Sequence, residues 1–409
     1  MPLNASLNLS AALRRGCHGA LFVGLAIVLA GCGPMGGYGT QEPILAAPTT
    51  PVQSHALPGN VSSTLGTGAV HVALILPLTQ AGAPSAVGAS LRNAAELALN
   101  TAGSNEITLY VKDDQSTPAG AHDAAQQAVS EGDELIIGPL FASSVREVSN
   151  VARTAGRPVI AFSTDSSTAV RGVYLLSFLI ESYVDRIVGY AAANGKKSFA
   201  ALVPESDYGN VALGEFQQEA ARLGVRVAGI ERYTPATLAT AVQHIAALGN
   251  SIDALFVPEQ ADAMTAVASA LAANHLDSSH VLILGTGVWN DNRILGLPAL
   301  QGAWFSSPEN AGFNQFSQRY RGKYGAEPPR IATLAYDAVS LAAALARVQG
   351  SARFNETVIT NSQGFIGTDG VFRFRADGLN ERGLSVQQIG NGSTTTISPA
   401  PRSFPGSAT

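Results

Sequence analysis

The 409-residue sequence contains two cysteines, Cys17 and Cys32. Two thiols so close to the amino terminus leave the rest of the chain without a disulfide framework or a Cys-based metal site. Charge is also scarce. Only 13% of residues are Asp, Glu, Lys or Arg, against a usual share of about 25%. No run of Lys or Arg exceeds two, and the formal net charge is −5, so a basic surface for nucleic acid is not expected. There is no apolar stretch of the ~20 residues that a spanning helix needs. No Gly-x-Ser-x-Gly elbow, Ser-x-x-Lys, His-Glu-x-x-His or Walker loop occurs, and the seven histidines are scattered. His122, His244 and His275 fall on or beside helical segments and read as surface residues. Neither a metal nor a cofactor is expected, and a non-enzymatic protein is. What the chain does have is hydrophobic residues, 46% of the total, enough for a large core and too many for disorder.

The amino terminus reads as an export signal. Arg14 and Arg15 precede an apolar run from Ala20 to Ala30, about half a membrane span. The run ends in Leu29-Ala30-Gly31-Cys32, which resembles the bacterial lipobox. That resemblance implies removal of residues 1–31 and a lipid on Cys32, the new first residue. Gly33 follows, and by the same resemblance a residue other than Asp there implies sorting to the outer membrane, facing the periplasm. Residues 32–69 are rich in Gly, Pro, Ser, Thr and Ala and read as a flexible tether, whose coil would span roughly 35 Å. Residues 391–409 are again Ser/Thr/Pro-rich and are expected to be a disordered tail.

Between these ends, short apolar runs alternate with amphipathic stretches. Val70 to Pro77 is a buried-strand pattern, and residues 88–100 place Leu91, Ala94, Ala95, Ala98 and Leu99 on one helical face. Further strand patterns cover residues 107–112, 134–139 and 158–163, with helices at 120–131 and 144–155. The alternation restarts at Ser198, with strands at 198–204, 225–233, 254–258 and 281–285 and helices between. The expected fold class is α/β, two doubly wound parallel-sheet lobes in tandem. Ligands of such sheets bind beyond the carboxyl ends of the strands, so two facing lobes would form a cleft.

The sequence is similar to type I periplasmic-binding proteins of the leucine/isoleucine/valine-binding kind over about residues 70–390. The likeness is carried by Val72 to Thr79, Lys112-Asp113-Asp114, Ile136 to Leu140, Gly156 to Ser163, and Val203 to Gly209 with its Tyr-Gly turn. It continues through Phe316 to Pro328, Ala335 to Ala338 and Gly364 to Phe374. It implies a three-segment hinge, with crossings expected near Leu176–Ile180, Ala303–Ser307 and Thr357–Gly364. Lobe 1 is then residues 70–177 plus 305–356, and lobe 2 residues 178–304 plus 357–390.

Candidate binding residues follow from strand ends. Ser143 and Ser144 open a helix, where hydroxyls and free N–H groups suit a carboxylate; either could instead be only an N-cap. Ser163, Thr164 and Asp165 end the next strand. Asp165 could meet an ammonium group or merely cap its turn. Tyr208 stands at the family's ring-contact position. Gln260 falls where leucine-binding relatives carry a contacting Tyr. Trp289 could stack on a ligand ring at the rim or cap the core. In the amino-acid binders, an acidic residue that neutralises the ligand ammonium occupies the place of Gly287, so standard α-amino-acid binding requires a substitute such as Asp165 or Asp291.

Two functions fit. One is the substrate-binding part of an ABC-type importer, closing over a small amino-acid-like ligand and meeting a membrane permease. The other, suggested by the lipobox, the tether and a likeness of Asp253 to Ala261, is an outer-membrane activator of a penicillin-binding protein, with a peptidoglycan synthase as partner.

Overall fold

The computed structural model describes residues 63–103 and 105–404. The signal segment, Cys32 and most of the expected tether therefore lie outside the described residues. In chain order the elements are β1 (Ser63–Leu65), β2 (Val70–Leu76), β3 (Thr79–Gln80), β4 (Ala83–Pro84), α1 (Ala86–Ala102), β5 (Ile107–Asp113), α2 (Pro118–Ser130), β6 (Leu135–Ile137), α3 (Ala142–Thr154), β7 (Val159–Ala161) and β8 (Val173–Leu175). Then come α4 (Ile180–Ala193), β9 (Ser198–Pro204), α5 (Asp207–Leu223), β10 (Arg226–Tyr233), α6 (Leu238–Ala246), β11 (Ala254–Phe256), α7 (Ala261–Ala273), β12 (Leu282–Gly285), α8 (Asn292–Leu295) and β13 (Trp304–Ser307). The chain closes with α9 (Asn310–Tyr324), α10 (Ala332–Val348), α11 (Glu356–Ile359), β14 (Phe365–Gly367), β15 (Gly370–Phe374), β16 (Asn380–Arg382), β17 (Ser385–Gly390) and β18 (Ser393–Ser398).

Two sheets organise the molecule. The first runs β1-β5-β2-β6-β7-β8 and the second β10-β9-β11-β12-β13-β17-β18. The inner strands pair in parallel, while β1, β17 and β18 pair antiparallel. Strand β2 shows why the sequence chooses this layout. Six of its seven residues are buried, so both faces must be covered. Val72, Leu74 and Leu76 join the core under α1 and α10, whereas Ala73 and Ile75 face α2 and α3. Strand β9 repeats this, with Ala200 and Leu202 facing α6 and α7, and Phe199, Ala201 and Val203 facing α4 and α5.

The chain passes between lobes three times. The first crossing, Leu176 to Leu179, joins β8 to α4, and the second, Pro308-Glu309, joins β13 to α9. The third differs from the expectation at Thr357–Gly364. Strands β14 to β16 form a small separate sheet whose Phe372 and Phe374 pack into the first lobe's core. The chain crosses only at Gly383-Leu384, before β17 pairs with β13. The expected tail is also corrected. Ser393–Ser398 form an edge strand on β17, because β-branched Thr suits a half-exposed edge. Likewise the expected tether ends early, at β1, which pairs with β5. No described helix is long and apolar enough to cross a membrane.

Polar contacts tie the crossings together. The Ser177 carbonyl accepts Asn380 Nδ2 (3.0 Å) and Arg382 Nε (2.9 Å). The Ser307 carbonyl accepts the Ser385 hydroxyl (2.7 Å). Behind them Asp369, fully buried, accepts Arg330 through Nε (3.0 Å) and Nη2 (2.6 Å), and the Thr333 hydroxyl (2.6 Å).

Candidate functional site

The crossings leave from the carboxyl ends of β8 and β13, so the strand ends of both sheets border the space between the lobes. On lobe 1 the loop after β5 is locked by Asp113. It accepts the N–H groups of Leu78 (2.9 Å), Thr79 (3.1 Å) and Gln115 (2.8 Å) and the Thr79 hydroxyl (2.6 Å). Asp114 is buried beside it. Burial pushes its carboxyl up to about 6, opposed by the Ser116 N–H and the Ser144 hydroxyl.

That placement corrects the N-cap reading of the next segment. The cap position of α3 is Phe141, without a side-chain cap bond, and both serines lie inside the first turn. Ser143 is exposed, while Ser144 is fully buried and turned toward Asp114. Ser163 is buried and its hydroxyl accepts the Asp165 N–H (3.0 Å). Thr164 is half-buried. Asp165 is the cap of the following turn. It accepts the Ser167 N–H (3.0 Å) and hydroxyl (2.6 Å) and pairs with Arg146 Nη2 (2.6 Å).

On lobe 2 the turn into α5 is set by two residues. The Ser206 hydroxyl caps the Gly209 N–H (3.1 Å), and a Cβ on Gly209 would lie 2.1 Å from the Pro204 carbonyl oxygen. Only glycine fits there, and this docks Tyr208 into the lobe. Its hydroxyl shares a 2.6 Å hydrogen bond with Thr286 Oγ1, and burial raises its pKa. Gln260 caps α7, and its N–H donates to Glu259 Oε1 (2.7 Å). Glu259, which sequence reasoning passed over, is a buried acid that also accepts the Tyr233 hydroxyl.

Trp289 is not at the rim. It is fully buried, its Nε1 donates to the Glu259 carbonyl (3.1 Å), and its indole fills the space over Gly285, where a Cβ would sit 2.1 Å from the ring. Gly287 has an equally specific neighbour. A Cβ there would lie 2.4 Å from Cε1 and Cζ of Tyr183 and 2.8 Å from its hydroxyl. Tyr183 belongs to α4, yet it joins the core of lobe 1, and its phenol lies in the field of Arg330, Arg382 and Asp369. Burial pushes it up to about 12. The place that an acidic side chain would take is therefore filled by this ring. Tyr183 was missed because a helical position gives no sign of reaching across the lobes. The signal available was Gly287 itself, since a glycine where a side chain is expected points to a neighbour in that space. Asp291, the other substitute considered, is committed to Arg293 (2.7 Å).

The arrangement thus offers hydroxyls, backbone groups and rings; its acids Asp113, Asp165 and Glu259 hold named donors, while buried Asp114 keeps Oδ2 without a partner among the described residues. Among the described residues, no group of three or more His, Cys, Asp or Glu could hold a metal ion.

The family model described as periplasmic binding protein matches residues 69–394. The chain belongs to the periplasmic binding protein family. Solved structures confirm the two-lobed type I fold. A branched-chain amino acid ABC transporter periplasmic ligand-binding protein from Burkholderia xenovorans LB400 is 16% identical with a TM-score of 0.64, covering 81% of this chain and 96% of its own. The branched-chain amino acid transporter substrate-binding protein LivJ from Streptococcus pneumoniae, solved with isoleucine, is 20% identical with a TM-score of 0.54, covering 81% and 99%. An ABC transporter solute-binding protein from Rhodopseudomonas palustris BisB5, solved with 3,4-dihydroxybenzoic acid, is 21% identical with a TM-score of 0.56, covering 82% and 97%. No curated protein matches the chain.

Proposed function

We propose that this periplasmic binding protein is the non-enzymatic substrate-binding part of an ABC-type importer, anchored at the envelope through Cys32, and that it closes over a small organic acid lacking an α-ammonium group. The observation that carries the ligand class is Tyr183 against Gly287. It leaves no room for a carboxylate there, and a buried ammonium without a counter-charge costs on the order of several kcal/mol. The acids that might replace it, Asp165, Asp291 and Glu259, already hold named donors. Ser163, Thr164 and Gln260 supply polar contacts on the two sides, with Ser143 at the opening of α3 and Tyr208 behind. The relatives solved with isoleucine and with 3,4-dihydroxybenzoic acid bracket these alternatives.

A thermal-shift screen of the protein tests this reading. A ligand at a hundred times its dissociation constant adds about 2.7 kcal/mol of stability. An upward shift with benzoate-type or branched aliphatic carboxylates, and none with leucine or isoleucine, is expected. An equal shift with leucine refutes the ligand class. A second reading draws on the same filled wall, because Tyr183 and Trp289 occupy space that a ligand would otherwise take. Under it the chain serves a protein partner, a penicillin-binding protein acting in peptidoglycan synthesis. No shift with any small molecule, together with capture of such a synthase, selects it.

A further inference from the structure

We infer that lobe 1 carries a second binding site, for a small organic anion, at the end of its sheet opposite the cleft. The site stands independently of the cleft reading. It lies where β7 and β8 begin rather than where they end. Arg153 comes from the last turn of α3, Arg157 and Pro158 lead into β7, Arg171 and Gly172 lead into β8, and Phe354 and Glu356 come from the entry to α11. These segments border an open depression of about 340 Å³.

Its chemistry is asymmetric. Two almost fully buried rings, Tyr174 and Phe354, line it. Three guanidinium groups stand at its wall. Arg171 is held in a fork by Glu356, with Nε 2.9 Å from both carboxylate oxygens and Nη2 2.6 Å from Oε2. Arg153 and Arg157 pair with no carboxylate, and Arg157 Nε is enclosed without a hydrogen-bond partner among the described residues. The acids facing the site are Glu356 and, behind Arg157, the buried Asp133. Three cations against two carboxylates leave the cavity positive. Its mouth is open, since a Cβ on Gly156 or Gly172 would meet nothing within 4 Å. A planar guanidinium offers paired donors to carboxylate or phosphate oxygens, while Tyr174 and Phe354, almost wholly covered by the core, form only the apolar floor beneath them. Glu356 occupies the exposed Arg171 at one wall, so Arg153 and Arg157 supply the donors left for an anion.

Calorimetric titration of the full chain with phenyl phosphate is the test. One saturable site, weakened by added salt, is expected. Arg153→Gln and Arg157→Gln are each expected to weaken it about tenfold, the loss of one charge-assisted contact. Arg153 is exposed, so its variant folds even if Arg157→Gln does not. Arg157→Lys, which keeps the charge but loses the planar fork, should fall between. Saturable binding that neither Gln variant changes, or that is lost in Tyr208→Ala while both leave it intact, assigns the anion elsewhere and overturns the proposal. So does the lack of saturation at about 10 mM, well above the millimolar range of weak specific binding.

Discussion

Gly287 and Tyr183 permit a direct test of the packing on which the ligand class rests. In Gly287→Ala the new methyl would lie 2.4 Å from two ring carbons and 2.8 Å from the phenol oxygen, inside the distance that real side chains keep. The ring cannot swing away freely, because it is buried in the core of lobe 1. Overpacking of this kind costs about 1–3 kcal/mol. Tyr183→Leu removes all three of the clashing atoms and retains an apolar side chain. In that background Gly287→Ala should cost less than about 0.5 kcal/mol, the level at which independent sites add. The coupling between the two changes is then on the order of 1–2 kcal/mol. Urea unfolding of the four proteins measures it, with the midpoint moving and the slope constant. Additive costs, with no coupling, would show that the ring does not fill the space before Gly287, and the argument against an ammonium ligand would fall with it.

Two other outcomes follow from buried charge. Asp369→Ala removes the carboxylate that holds Arg330 and Thr333 beside the hinge, leaving Arg330 only Asn310 and the Glu309 carbonyl, and should cost about 1.5–3 kcal/mol in the same unfolding assay; a loss below about 0.5 kcal/mol would contradict the buried pairing. Burial, helped by Asp369, pushes Asp337 up to about 6, although it accepts the Thr368 N–H and hydroxyl. A carboxyl that holds its proton more tightly when folded stabilises below its unfolded pKa of about 4, and that contribution is lost as pH rises through 6. Asp337→Asn should therefore flatten the decline in stability between those values, by about 1.4 kcal/mol for each unit of separation. An unchanged pH profile would refute the assignment.

Strands β2, β5, β6, β7, β9, β10, β11 and β12 were legible because their chemistry is local, whereas β1, β8 and β13 were not read as strands. Ser198–Pro204 reads as a buried strand from its own residues and is one. The last crossing was not legible. Strands β14 to β18 are short, and Ser393–Ser398 is polar enough to pass for a frayed end; what orders it is its partner β17, not its own pattern. Side-chain direction was the other gap. Strand-end position offered Trp289 and Asp165 as site residues, but the Trp289 indole lies inward over Gly285 and Arg146 engages Asp165. For Asp165 the turn-capping alternative is the one the geometry displays.

The position of the third crossing bears on how the chain is made. Strand β13 finds its antiparallel neighbour only when β17, from Ser385 to Gly390, has emerged. Lobe 1 waits as well, since α1 is covered by α10 and its core takes Phe372 and Phe374. Lobe 1 has no complete core until Phe374 is available, and lobe 2 no complete sheet until β17 is. Distant partners of this kind make folding slow. A chain built this way stays open until its third crossing is in place.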